Sequence, residues 1–222
     1  MKIELVTRGF IEYLDNEFVE KICCSYDGPC IVHYYHKPPQ AITIECEPYN
    51  SQFGYPVTND GKILFVSSWE NGLTAYDIAT NEVLWKLKGT RIKAVYVYAT
   101  YVVAIKYCTA ILKLDLHTGE VLEQMKSGTV ECSWELQPPY ILVDTFRGKL
   151  SIIDTEKMSV VKAYKGKDIN PNQCLSFVIQ GFRTENNTLA ILGVEDCPNR
   201  DMFAENQKRF NRIIDTNLYG NI

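Results

Sequence analysis

Histidine and cysteine are the side chains best suited to holding a metal or attacking a substrate, and this chain has three of the first and eight of the second. His33 and His36 bracket two tyrosines in "HYYH", just before the Pro38–Pro39 pair, and His117 stands apart. A zinc site needs several N or S ligands converging on one point. Residues three apart on a strand face opposite sides, so His33 and His36 read as surface-loop residues. The cysteines (Cys23, Cys24, Cys30, Cys46, Cys108, Cys132, Cys174 and Cys197) contain no C-x-x-C pair. They read as reduced thiols, and Cys23, Cys108 and Cys132 fall in apolar strand-like runs, where a thiol packs as a small hydrophobe. No G-x-S-x-G, Walker or G-x-G-x-x-G pattern is present. "KGKD" at 165–168 lacks a following helix and is no phosphate cradle. We expect no catalytic residue, no cofactor and no metal.

The acids are more informative, because they recur. Asp77, Asp115 and Asp154 are separated by 38 and 39 residues. The same two steps relate Leu64, Val102 and Ile141, then Leu73, Ile111 and Leu150, then Val83, Val121 and Val160. In "DIATNEV" and "DLHTGEV" an Asp carboxylate can accept hydrogen bonds from N–H groups two and three residues on, while Thr with Asn or Gly completes the turn. A repeated Asp of this kind is a corner and not a catalytic acid.

Each copy reads as a strand, a tight polar turn, a second strand, the Asp corner and a third strand. A further strand lies between copies, "IKAVYVYA" before the second and "VECSWEL" before the third. Four short strands in roughly 40 residues is the period of a β-propeller blade. Such a sheet cannot bury both faces alone, so blades stack. Strand starts near 31 and 189 add two units. The expected fold is all-β: a single small β-propeller of about five four-stranded antiparallel blades, near 20–50, 54–89, 90–128, 129–167 and 174–222. The last blade carries a loop or short helix inserted at 196–210. It has no room for its final strand, so we expect the N-terminal strand to close the ring, since an open edge is a liability; the alternative is an irregular, partly open ring.

"LTAYDIATNEVLWKLKG" (73–89) resembles the repeat of the quinoprotein-type, PQQ-like propellers, which also have a WD-like strand plan: an apolar strand, Asp, Thr-Gly, then a strand ending in Trp. Ala75, Tyr76, Asp77, Thr80, Asn81, Val83, Leu84 and Trp85 carry the pattern. The second copy keeps Leu114, Asp115, Thr118, Gly119, Val121 and Leu122 but has Glu123 at the Trp position, and the third keeps Asp154 and Val160. The resemblance implies a blade architecture only. The quinone-binding members are longer and exported, and no matching set of cofactor ligands is present.

Composition sets the class. The 222 residues are 46% hydrophobic and 23% charged, with 14 Tyr, as expected of a globular, strand-rich chain. The formal net charge of −4 gives no reason to expect nucleic acid, which usually requires a basic patch. "MKIELVTRGFIEYLD" is interrupted by Glu4, Arg8 and Glu12 and shows no secretory h-region. No stretch approaches the roughly 18 apolar residues of a membrane span. A cytoplasmic protein with no membrane partner is expected.

In a propeller, the loops joining second to third strands share a face with the connections between blades. That face is expected to carry Trp69, Glu70, Arg91, Arg147, Lys167 and Asp168, with Met202 and Phe203 from the insertion. Aromatic and Arg residues are common interface anchors. The expected task is non-catalytic protein binding through this loop face, for instance sequestering a toxin as an immunity protein does. The alternative is an enzyme or ligand site in the central tunnel, with Glu131, Glu45 and Lys106 as candidates. The two differ in whether titratable groups converge.

Overall fold

The computed structural model describes residues 2–6, 9–13, 18–25, 30–35, 41–44, 58, 61–68, 72–89, 91–145, 149–169, 177–185, 188–195 and 209–215. The chain divides into two compact units, Met1–Lys126 and Ser127–Ile222.

The first unit holds three antiparallel sheets. β1 (Lys2–Val6), β2 (Gly9–Tyr13), β3 (Val19–Ser25), β4 (Cys30–Tyr34) and β5 (Ala41–Ile44) form a meander in chain order. β6 (Ile63–Ser68), β7 (Gly72–Asp77) and β8 (Val83–Leu87) form the second sheet. β9 (Ile92–Val97), β10 (Tyr101–Lys106), β11 (Ala110–Asp115) and β12 (Val121–Lys126) form the third. In the second unit, β13 (Val130–Glu135), β14 (Tyr140–Thr145), β15 (Lys149–Asp154) and β16 (Ser159–Tyr164) make a four-stranded sheet. A short helix, α1 (Gly166–Ile169), follows. β17 (Phe177–Glu185), β18 (Thr188–Glu195) and β19 (Arg209–Asp215) complete the unit. The protein is all-β, built as a succession of small antiparallel sheets of the kind that make propeller blades.

Two expectations need correction. The N-terminal strands do not join the last sheet: β1 pairs with β2, and β2 with β3, inside the first sheet. Val6 faces Gly9 across a two-residue link. A local hairpin closes at a far lower entropic cost than pairing with a strand near the other end of the chain. The insertion is also shorter than 196–210, because Arg209 and Phe210 open β19 opposite Val194 and Gly193. Its other residues lie outside the described ones.

The repeat is a repeat of backbone as well as sequence. Asp77 Oδ1 accepts hydrogen bonds from the N–H groups of Ala79 and Thr80 at 2.7 and 2.9 Å. Asp115 Oδ1 does the same for His117 and Thr118 at 2.9 and 2.8 Å, and Asp154 Oδ1 for Glu156 and Lys157 at 3.0 and 2.9 Å. Four residues past each Asp the chain turns left-handed, at Asn81 (φ 64°), Gly119 (φ 71°) and Met158 (φ 48°). A β-bulge precedes each corner, at Ala75/Tyr76, Lys113/Leu114 and Ile152/Ile153. Bulge, carboxylate cap and left-handed residue form one device used three times.

Each unit has its own core. In the first, Phe65, Leu73, Trp85, Ile92, Val102, Leu112 and Leu114 bury together between the second and third sheets. In the second, Leu142, Leu150, Ile152, Tyr164, Ile169 and Ile191 join β14–β16, α1 and β18. Along β8, β12 and β16 the exposure runs the other way: Val83 and Leu84, Val121 and Leu122, and Val160 and Val161 are each more than 40% exposed. Those three strands are edges of their sheets.

Candidate functional site

The candidate site lies where the second sheet hands over to the third. Trp85 on β8 ties the two sheets together at the corner end. The indole is only 8% exposed and lies at a 5.7 Å centroid distance from the Phe65 ring. Its Nε1–H donates to the Leu116 carbonyl at 3.1 Å, reaching into the Asp115 corner of the next sheet. A Cβ at Gly119 would fall 2.5 Å from Trp85 Cδ2. Only glycine, which also accepts φ 71° without strain, lets the indole lie on that turn. The sequence marks Trp85 as core; its seat on the neighbouring corner is what the fold adds.

From β8 the chain crosses through Lys88 and Gly89 to Arg91 and enters β9. β10 runs antiparallel to β9 and ends at the same place, with Lys106 facing Ile92. The Tyr107 N–H donates to the Arg91 carbonyl at 2.9 Å. The β10–β11 turn and the connection between sheets are therefore joined by a backbone hydrogen bond. Lys93 Nζ sits 5.6 Å from the Tyr107 ring centroid, within cation–π range. Lys88, Arg91 and Cys108 are exposed, and Lys93, Lys106 and Tyr107 are half-buried. Cys108 corrects an expectation. It is not a core thiol but an exposed one at the tip of the turn, at φ 72°. The tight reversal between β10 and β11 needs a left-handed residue there.

Of the other residues expected on this face, Asp168 is exposed in α1 of the second unit. Its Oδ2 accepts from the Lys165 N–H at 3.2 Å, a local turn cap. Lys167 lies in α1, and its side chain is outside the described residues, as are Trp69, Glu70, Arg147, Met202 and Phe203. Of the tunnel candidates, Glu131 is exposed on β13, Lys106 belongs to the β9–β10 end just described, and Glu45 is outside the described residues.

The repeated acids are occupied with structure. The N–H and hydroxyl of Thr118, then the N–H of His117, hold the Asp115 carboxyl below its ordinary range. His33 is half-buried on β4, and His117 is an exposed turn residue. Among the described residues no three His, Cys, Asp or Glu side chains gather as a metal site would require.

Sequence reading passed over a column of buried polar groups. With strand starts taken at 31, 64, 102 and 141, Tyr34, Ser67, Ile105 and Asp144 are equivalent. Tyr34 is 4%, Ser67 1% and Asp144 4% exposed. Burial pushes the Tyr34 hydroxyl well above the usual tyrosine range. The signal is the change from apolar to polar at the end of the run in "LFVSS" and "ILVDT", where Ser67 and Asp144 come first. Ser67 and Asp144 come just before the loops that hold Trp69 and Arg147.

No known family matches the chain, and no curated protein matches it. Solved structures do resemble it, 843 chains in number, so the form is too widely shared to name a task. BamB from Moraxella catarrhalis, a β-propeller, superposes with a TM-score of 0.57 over 87% of this chain and 56% of that one, at 16% identity. The computationally designed protein Ika8 superposes with a TM-score of 0.55 over 82% of this chain and 54% of that one, at 13% identity. At such identities the likeness is one of fold: the chain is β-propeller-like. It spans little more than half the length of either protein.

Proposed function

We propose that the chain is a non-catalytic protein-binding module that engages its partner through the loop ends of its sheets. A propeller-like fold is compatible with many tasks, so the proposal rests on one observation. The Asp corner is repeated from copy to copy, whereas the loops at the opposite ends of the same strands, which follow Ser68, Lys106 and Thr145, differ in length and residue type. Loops held by a rigid scaffold are where binding residues concentrate.

Affinity capture tests this. Wild-type protein should retain a partner in fixed stoichiometry, and the combined Trp69→Ala, Arg147→Glu variant should lose it while keeping its thermal unfolding midpoint. Retention by the variant would move the site off this face. The narrower form of the proposal, sequestration of a toxin, predicts that co-expression with the captured partner restores growth that the partner alone arrests.

A further inference from the structure

We propose that Cys24 and Cys30 are a thiol–disulfide pair that reversibly staples the β3–β4 hairpin. The pair is read from register. In the first sheet Ile11, Cys23, Ile31 and Thr43 form one row across β2, β3, β4 and β5. One residue along, Phe10 faces Cys24 and Cys30 faces Ile44. The β3–β4 register that sets Ile22 against Val32 and Cys23 against Ile31 therefore sets Cys24 against Cys30. Both lie within strands, Cys24 in β3 and Cys30 at the start of β4. Directly opposed residues of an antiparallel pair share a face, with Cα atoms about 4.5–5.5 Å apart. A disulfide needs a Cα separation of about 4.4–6.8 Å.

Of the three cysteines in "CCSYDGPC", strand alternation leaves Cys23 on the other face, in the row of half-exposed Ile31. Cys24 and Cys30 share their face with fully buried Val32, two residues along β4. Their row neighbours Phe10 and Ile44 supply no third ligand, so the placement suits sulfur–sulfur chemistry and not a metal. Opposed Cβ atoms stand about 4.5–5.5 Å apart, whereas a disulfide draws them to about 3.5–4.5 Å. The bond must pinch the two strands, and a strained disulfide is readily reduced. The oxidant is a small-molecule disulfide. One cysteine thiolate attacks it, forming a mixed disulfide and expelling one small thiolate. The other cysteine thiolate then attacks the protein sulfur, closing the Cys24–Cys30 bond and expelling the second. The protein thiols lose two electrons and two protons, which the two released small thiols carry away.

Disulfide mapping on the full chain tests this. The native protein is equilibrated with oxidised glutathione, quenched in acid, alkylated with N-ethylmaleimide and cleaved before Asp27, which separates Cys23 and Cys24 from Cys30. Mass spectrometry should find the two fragments joined by one disulfide in wild type and in Cys23→Ser, and separate in Cys24→Ser and Cys30→Ser. Excess reduced glutathione should return the wild type to free, alkylatable thiols at both positions. In urea, where register is lost, Cys23 should compete with Cys24 for Cys30, and the linkage should move toward an equal division between them. Should a variant fail to fold, the division of the wild-type linkage in buffer and in urea decides without it. Fragments that never join, glutathione adducts alone, equal linkage in native Cys24→Ser, or the same division in buffer and in urea would overturn the proposal. A bond that excess reduced glutathione leaves intact would overturn its reversibility, because that is how a structural disulfide behaves.

Discussion

The β9–β12 sheet has two ends that solve opposite problems. At the β11–β12 end, Asp115, Thr118 and Gly119 satisfy one another and receive Trp85 from the adjacent sheet. The backbone path and the acid recur in the β7–β8 and β15–β16 corners. At the β10–β11 end, where Lys88 recurs as Lys126 and Lys165, the loop residues themselves differ. Arg91, Lys93, Lys106 and Cys108 have no counterparts of like chemistry in the other copies. Stability is stored at one end and chemical identity at the other, so substitutions at the two ends should separate cleanly.

Trp85→Ala should have the largest effect, about 3–5 kcal/mol lost in chemical denaturation, because it empties the core joining two sheets. Gly119→Ala attacks the same junction from the other side. It should cost about 2–4 kcal/mol, combining a clash with the indole and a left-handed backbone. If it instead proves neutral, the indole is not seated on that turn. Asp154→Ala should cost about 1–3 kcal/mol, since the buried carboxylate holds two N–H groups and pairs with Lys157 at 3.4 Å. At the other end the sign reverses. Cys108→Gly should raise stability by about 0.5–1 kcal/mol by relieving a left-handed non-glycine residue.

The smallest effect belongs to pH. Asp115 has a lowered folded pKa, so its contribution is complete above its unfolded value, about 3.9, and is lost as pH falls through the folded one. Asp115→Asn should therefore differ from wild type by a constant amount near neutrality, with the gap narrowing in acid. A gap that widened on acidification would reverse the assigned cause.

The corner end was legible in sequence because everything there is local. Asp, Thr and a left-handed Asn or Gly lie within five residues, and their spacing alone implies the hydrogen bonds. Long-range pairing was less legible. The alternation in "KIELV" and "FIEYL" marks strands but not which sheet edge they join, and so the N-terminal strands were assigned to the wrong sheet. Cys108 reads two ways: "VVAIKYCTAILKL" is nearly continuous apolar sequence in which a thiol would pack, yet the turn between its two strands falls at Cys108 and Thr109, and the structure leaves the thiol exposed there. Of the residues expected on the loop face, Arg91 is exposed just before β9. Lys93 and Lys106 lie 13 residues apart, and the register that sets Lys106 opposite Ile92 is long-range information that the local pattern does not carry.

The exposed apolar pairs on β8, β12 and β16 have a practical meaning. Each lies on an edge strand whose outward hydrogen-bonding groups could template another strand, and each is accompanied by charge: Lys86 on β8, Glu123 and Lys126 on β12, and Lys162 on β16. Such charges are gatekeepers against self-association. Their repulsion between molecules fades as ionic strength shortens its reach. High-salt, high-concentration handling therefore favours edge-to-edge aggregation of this protein, and a single added lysine beside Val160 and Val161 is the economical way to keep it in solution.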